Sequence, residues 1–366
     1  MINYKGYKPE ELGITDEVVT KHEKLRFYNI KDVPEFRVYG LYDYKNGEKF
    51  KRMPEAAAEK VSEGVRQLNY CTAGGRVRFT TTSGVIAVRA TTPNSTQLSF
   101  GNPIGMAGFD IYISNGLRDI YLASFTPNNG MFSETGMCDL KGLPGGKKEI
   151  TLNLPLHQSI NELYIGLIED SDLETRPDYR FEKPVLYYGS SITQGLCASR
   201  PGMAYEAIIS RKLDCNFINL GFSGKCYAEL PMCEYLQTVD CSAFVYDYDH
   251  NSGVEMLRDT HERLYRMFRD THPETPVIIV GRPDFFTCDC NFETDMQRRE
   301  IVMNTFRTAK DNGENVIYVD GYSLFGGEDR EDCTVDLVHP NDLGMTRMAD
   351  VIGKAVEYAI APYKVG

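Results

Sequence analysis

Four short segments hold the residues best suited to chemistry: Gly189-Ser-Ser-Ile-Thr-Gln-Gly195, Asn219-Leu-Gly-Phe-Ser-Gly224, Asp247-Tyr-Asp-His-Asn251 and Asp336-Leu-Val-His-Pro340. Together they offer a serine in a glycine-bounded turn, an aspartate close before a histidine, and glycines and an asparagine able to donate hydrogen bonds. A serine hydroxyl is a weak nucleophile until a base removes its proton, and a third group must hold that base. Histidine suits the base role, with a free pKa of roughly 6.5. Asp336 and His339 share one turn, and Pro340 disfavours a helical conformation at His339. The carboxylate can then reach one ring nitrogen while the other points outward. Acyl transfer also builds a negatively charged oxygen, and each preorganised donor lost there costs about 2.7–4 kcal/mol. Each segment alone reads as an ordinary turn. The combination carries the meaning.

The elements that must position these segments fall into two patterns. In the second half, apolar runs at 185–188, 216–219, 243–247, 276–280 and 315–319 read as strands. Helical stretches lie around 203–213, 227–238, 253–271 and 293–311, with a last helix from about 342 to 361. Such alternation describes a three-layer α/β/α domain with a parallel sheet, whose reactive loops sit at the carboxyl ends of strands. All four segments have that address. The first half instead shows short strands at 25–30, 76–80, 85–90, 119–123, 149–154 and 162–167. Turn clusters such as 73–75, 127–130 and 143–146 punctuate them, and only 54–62 reads as helical. That pattern predicts an antiparallel β-sandwich or jelly roll. A chain of 366 residues exceeds what one core usually supports. We expect two domains, 1–178 and 179–366, joined in the charged, proline-containing link at 176–184.

These segments resemble the signature blocks of the SGNH, or GDSL-type, serine hydrolases. The resemblance places the nucleophile at Ser191, the oxyanion glycine at Gly224, the oxyanion asparagine at Asn251, and the remaining triad members at Asp336 and His339. It adds the backbone N–H of Ser191 to the oxyanion hole, and it implies a flavodoxin-like α/β/α catalytic domain. Gly108-Phe-Asp-Ile-Tyr112 is similar to the Gly-x-Asp-Leu-Tyr signature of the β-domain that precedes one branch of GDSL-like lipases and acylhydrolases. Two departures stand out. Ser190 occupies the place of the family's name-giving aspartate, whose carboxylate commonly braces the nucleophile loop. Asp247-Tyr-Asp-His-Asn replaces the usual Gly-x-Asn-Asp, which puts Asp249 and His250 where they can shape the substrate pocket. Arg200 and Arg282, on loops after strands, are further candidates for contacting sugar hydroxyls or a carboxylate, against the plainer role of bracing their loops.

The resemblance implies an esterase removing a short acyl group, acetyl being the expectation, from a carbohydrate or similar small molecule. Acyl transfer to an acceptor hydroxyl uses the same triad, and a non-catalytic carbohydrate-binding protein is the remaining alternative. No cofactor is implied. Acidic residues outnumber basic ones by 52 to 40, for a net charge of −12, which argues against nucleic acid as a partner. No stretch approaches the roughly 20 apolar residues of a membrane span. The amino terminus lacks signal-peptide features and the cysteines are scattered, so a reduced, cytoplasmic protein is expected. Cys288 and Cys290 form a pair without the second pair that a structural zinc site wants, so no metal is expected. No Gly-x-Ser-x-Gly elbow is present, which excludes the competing hydrolase fold. His22, His157, His261 and His272 are expected on the surface or along helix sides.

Overall fold

Apolar alternation along the first half closes into two antiparallel sheets in the computed structural model, which describes residues 2–47, 49–92, 101–127, 137–283 and 292–363. The strands are β1 (Leu25–Asn29), β2 (Arg37–Tyr39), β3 (Arg76–Thr81), β4 (Val85–Thr91), β5 (Phe109–Ser114), β6 (Asp119–Phe125), β7 (Met137–Gly142), β8 (Lys148–Asn153), β9 (Glu162–Ile168) and β10 (Leu173–Glu174). One sheet has the order β1-β9-β4-β7; the other runs β10-β3-β8-β5-β6, with β2 paired to β3. Val88, Ile165 and Leu167 of the first sheet share one buried cluster with Phe79, Ile111 and Leu152 of the second. That shared cluster is the core of a sandwich. Short helices α1 (Glu17–Thr20) and α4 (Pro103–Ala107) complete this half. The strand pattern foresees six of its strands. It misses β5 and β7, and also β2 and β10, which at three and two residues are too short to show a period.

The second half forms a parallel sheet of β11 (Phe181–Gly189), β12 (Cys215–Gly221), β13 (Ala243–Asp247), β14 (Val277–Val280) and β15 (Val316–Val319), in the order β12-β11-β13-β14-β15. Its helices are α5 (Ser191–Gln194), α6 (Tyr205–Leu213), α7 (Leu230–Leu236), α8 (Val254–Thr271), α9 (Phe292–Asp311) and α10 (Asp342–Ile360). Apolar residues of α7, α8 and α9, among them Met232, Leu264 and Val302, pack on one face of the sheet. Those of α6 and α10, among them Ile209, Met345 and Ile352, pack on the other. Register matters most for the site. Gly189 pairs with Gly221 on one side and with Asp247 on the other, so three neighbouring strands end together.

By contacts the chain forms two units, and two short segments cross the 178/179 line. Unit 1 comprises Met1–Arg52, Tyr70–Asp178 and Arg200–Gly202; unit 2 comprises Met53–Asn69, Tyr179–Ser199 and Met203–Gly366. The stretch 53–69 carries α2 (Glu55–Val61) and α3 (Glu63–Asn69), two helices where one was expected. The backbone is extended at Ser62, and Ser62 Oγ accepts from Val65 N–H, which starts the second helix. Met53, Ala58 and Val65 belong to the core of unit 2.

One histidine departs from expectation. His261 is fully buried on the inner side of α8, its Nδ1 2.7 Å from Thr305 Oγ1 and its ring stacked on Tyr246. Burial pushes its pKa down to about 3, so it is neutral and structural. Cys71, Cys197, Cys215, Cys226, Cys233, Cys241 and Cys333 are buried. Among the described residues no helix is long and apolar enough to cross a membrane.

Candidate active site

β11 ends at Gly189 and the chain turns at once into the single turn of α5. Ser190 caps that turn, its Oγ accepting from Ile192 N–H at 3.2 Å. Ser191 is thus the first helical residue, where a backbone N–H has no intrahelical acceptor. Its Oγ lies 2.9 Å from His339 Nε2. His339 Nδ1 lies 2.8 Å from Asp336 Oδ2. Asp336 Oδ1 meanwhile accepts from the N–H groups of Val338 at 3.1 Å and His339 at 2.7 Å. Leu337 bends the loop with φ of 68°, an uncommon conformation for a residue with a β-carbon. Val335 N–H donates to His339 O and closes the loop.

Partial burial works to raise the Asp336 carboxyl, but the His339 and Val338 donors outweigh it and hold the group below the usual aspartate range. An ionised carboxylate only accepts, so the Nδ1 facing it carries the ring proton. With the ring neutral, Nε2 is then the acceptor facing the serine hydroxyl. An arrangement of this kind can activate a serine through an oriented base.

The loops after β12 and β13 are tied to α5. Gln194 Oε1 accepts from Ser223 N–H at 2.9 Å, beside Gly224, which takes φ of 65°. Asn251 Oδ1 accepts from Cys226 N–H at 3.2 Å, which orients its amide so that Nδ2 is the donor left for a ligand. The candidate donors, Ser191 N–H, Gly224 N–H and the Asn251 amide, therefore stand on three segments joined by hydrogen bonds.

Behind the nucleophile turn lies a buried polar group that the sequence reading missed. Asp247 Oδ2 accepts from Thr193 Oγ1 at 2.9 Å and from Tyr205 OH at 3.2 Å. A carboxylate thus braces α5 although Ser190 stands where the family places its aspartate; the brace comes from β13 instead. An aspartate ending the apolar run Ala243-Phe-Val-Tyr was the available signal. Burial, against the two hydroxyl donors, raises the Asp247 pKa to about 6. Glu206, fully buried at the start of α6, is raised well above the carboxylate range, chiefly by burial. A second tie was also missed: Ser199 gives its N–H at 2.9 Å and its Oγ–H at 2.5 Å to the Asp342 carboxylate.

The remaining candidates divide by partner. Asp249 is buried with its carboxylate 2.9 Å from Arg298 Nε. His250 Nε2 lies 3.9 Å from Asp247 Oδ1; burial, then Arg282, Arg298 and His339, push its pKa well down, so it is neutral. Arg282 lies 3.5 Å from Asp295, and Arg200 lies 3.5 Å from Asp110 within unit 1. Asp249, Arg282, Arg298, Arg299, Tyr318 and Tyr322 line a small pocket. Among the described residues no three His, Cys, Asp or Glu side chains group as metal ligands. Cys288 and Cys290 lie outside the described residues.

Residues 182–357 match the model of the GDSL-like Lipase/Acylhydrolase family, and residues 25–173 match that of the N-terminus of Esterase_SGNH_hydro-type. No curated protein matches the chain. Among solved structures, one described as a GDSL-like lipase from Bacteroides ovatus is 28% identical with a TM-score of 0.82, over 92% of this chain and 98% of that one. The salicylyl-acyltransferase SsfX3 from a tetracycline biosynthetic pathway is 20% identical with a TM-score of 0.70, over 93% and 98%. A family two carbohydrate esterase from Clostridium thermocellum, in complex with cellohexaose, is 15% identical with a TM-score of 0.56, over 79% and 93%. The last two show a shared fold. Their architecture is the one built above, an antiparallel sandwich followed by a parallel α/β domain. By these matches, residues 182–357 belong to the GDSL-like lipase/acylhydrolase family and residues 25–173 form the N-terminal domain of SGNH-hydrolase-type esterases.

Proposed function

We propose that this protein is a serine esterase that removes a short acyl group, acetyl first among them, from a carbohydrate or similar small polyhydroxy alcohol. The line from Ser191 Oγ through His339 to Asp336 carries the reading. Ser191 Oγ attacks the ester carbonyl as its proton passes to His339 Nε2. Asp336 stabilises the imidazolium that forms, and Ser191 N–H, Gly224 N–H and the Asn251 amide receive the oxyanion. Collapse breaks the bond to the alcohol oxygen, which takes the proton from Nε2. Water then repeats the sequence on the acyl-serine and releases the acid. The loop after β13 that carries Asn251 also carries Asp249, which lines a polar pocket with Arg282, Arg298 and Tyr322, and such groups, with donors and acceptors at fixed angles, support a polyhydroxy alcohol. The carbohydrate esterase of similar fold points the same way.

Ser191→Ala should reduce kcat by roughly 10⁴-fold or more while the melting temperature stays near that of the wild type. A serine-directed phosphonate should label Ser191 alone. An active Ser191→Ala enzyme, or labelling elsewhere, would overturn the assignment. Chain-length selectivity on p-nitrophenyl esters tests the acyl group, and an optimum at long chains would refute acetyl. The similar fold of an acyltransferase makes transfer the reading to separate. Product partition with and without an acceptor alcohol separates it.

A further inference from the structure

The motif strand β5 plays no part in the chemistry just described, yet two of its residues hold a dense set of polar partners in unit 1. Asp110 and Tyr112 lie two apart on β5 and so share one face of the sheet. Asp110 is fully buried, where a carboxylate is costly unless donors surround it. Its Oδ1 accepts from Asn153 Nδ2 at 2.8 Å, across the β5–β8 register. Its Oδ2 accepts from the backbone N–H of Gly202 at 2.9 Å and faces Arg200 Nε at 3.5 Å.

Those last two partners belong to Arg200–Gly202, the tripeptide that packs within unit 1 although it follows the nucleophile turn in sequence. Tyr112 completes the seat. A β-carbon on Gly202 would overlap the Tyr112 ring and lie 2.8 Å from Asp110 Oδ2, so only glycine lets the tripeptide come this close. Tyr112 OH lies 3.4 Å from Arg200 Nη2, and the Arg200 guanidinium stacks 4.0 Å over the Tyr121 ring on β6.

We propose that the Gly-x-Asp-x-Tyr strand is a receptor for Arg200-Pro201-Gly202, and that Asp110 is thereby a positioning residue for the reaction at Ser191. The proposal rests on the esterase reading. Residues 195–199 connect α5 to this tripeptide, and on the way Ser199 is tied to Asp342, the first residue of the helix that follows His339. Anchoring at Gly202 therefore limits the freedom of the chain that connects Ser191 to the tripeptide. Arg200 is taken up by this seat, which favours its bracing role over contact with substrate.

Hydrogen exchange on the full-length protein tests the receptor, and kinetics test the positioning. A peptide covering 196–204 contains the Gly202 amide. In Asp110→Ala its exchange should accelerate by about tenfold to a hundredfold, the loss expected for a bond to a charged acceptor. Peptides from β3 and β11 should be unchanged. With p-nitrophenyl acetate, kcat should fall about tenfold with KM within about twofold, because geometry and not binding is disturbed. Gly202→Ala should reproduce both effects, and the double variant should be no worse than either single one. Should Asp110→Ala not fold, Asp110→Asn, of the same size, carries the test with the same direction in both readouts. Unchanged exchange at 196–204 would overturn the receptor. Faster exchange there with unchanged kcat would overturn the positioning role, and uniformly faster exchange would reduce Asp110 to folding support. Activity surviving in Ser191→Ala would instead sink the esterase reading and leave the exchange result standing.

Discussion

Asp247 sits in a conflict that shows how the site trades stability for order. Its carboxyl is fully buried and titrates near about 6, against an ordinary value of 3.8. The folded state therefore holds this proton more tightly than the unfolded chain does. Stability from the group is full below about pH 4 and is lost as pH rises through about 6. Two units correspond to about 3 kcal/mol, an upper figure for this group. Asparagine keeps an acceptor for Thr193 and Tyr205 without the charge. Asp247→Asn should therefore melt higher relative to the wild type at about pH 7.5 than at about pH 4, by up to about 5 °C. Thermal melts of both proteins across that range check it, and a difference independent of pH would refute it. At this scale Ser191, Asp336 and His339 could be singled out in sequence because each has a chemical type that few other roles demand together, and the structure sets their polar atoms 2.9 and 2.8 Å apart in series. The Asp247 brace could not be singled out, because a carboxylate reveals its partners only when β13 lies beside β11.

The single turn α5 is held by what the neighbouring strands leave out. A β-carbon at Gly221, the last residue of β12, would overlap the backbone N of Gln194. Backbone cannot yield as a flexible side chain can, so Gly221→Ala must push α5 away from the strand end. Overpacking of this kind costs about 1–3 kcal/mol. The displacement also moves Ser191 relative to His339, and a shift near 1 Å can cost about a hundredfold in rate. We expect Gly221→Ala to melt several degrees lower and to lose kcat far more than affinity. Steady-state kinetics on a chromogenic acetate beside a melt would show it, and an unaltered kcat would count against the account. Apart from the single turn α5, the helices and strands of this half were foreseen to within a few residues, because the helices repeat their amphipathic period over several turns and the strands are short continuous apolar runs between them. Of the pair α2 and α3 only the first was foreseen, as 54–62; the second, two turns long after the extended residue Ser62, was missed.

Across the whole molecule, division of the chain does not follow sequence order. Met53, Ala58 and Val65, from the middle of the first half, are fully buried in the core of unit 2. Asn69 closes this insertion, its amide accepting from Met53 N–H at 2.9 Å and donating to Met53 O at 3.0 Å. Burying a side chain such as Met or Val is worth about 1.5–3 kcal/mol, so a fragment 179–366 lacks several kcal/mol of its own core. That fragment should be poorly soluble or melt at least about 10 °C below the full chain. Co-expressing residues 53–69 as a separate peptide, or fusing them to the fragment, should recover part of the loss. Solubility and melting of the two preparations decide the matter, and equal values would show the insertion to be dispensable.

Local periodicity and residue type determined the class of fold, the order of the five parallel strands along the chain, and the serine, aspartate and histidine suited to one chemistry. These are properties of neighbours in sequence, and the sequence states them directly. Which aspartate braces the nucleophile turn, where the Gly-x-Asp-x-Tyr carboxylate spends its hydrogen bonds, and which core receives residues 53–69 depended on the tertiary structure. Each is a pairing between groups distant in the chain. Burial makes such a pairing necessary by removing water as the alternative partner, and only the packed arrangement says which partner replaces it.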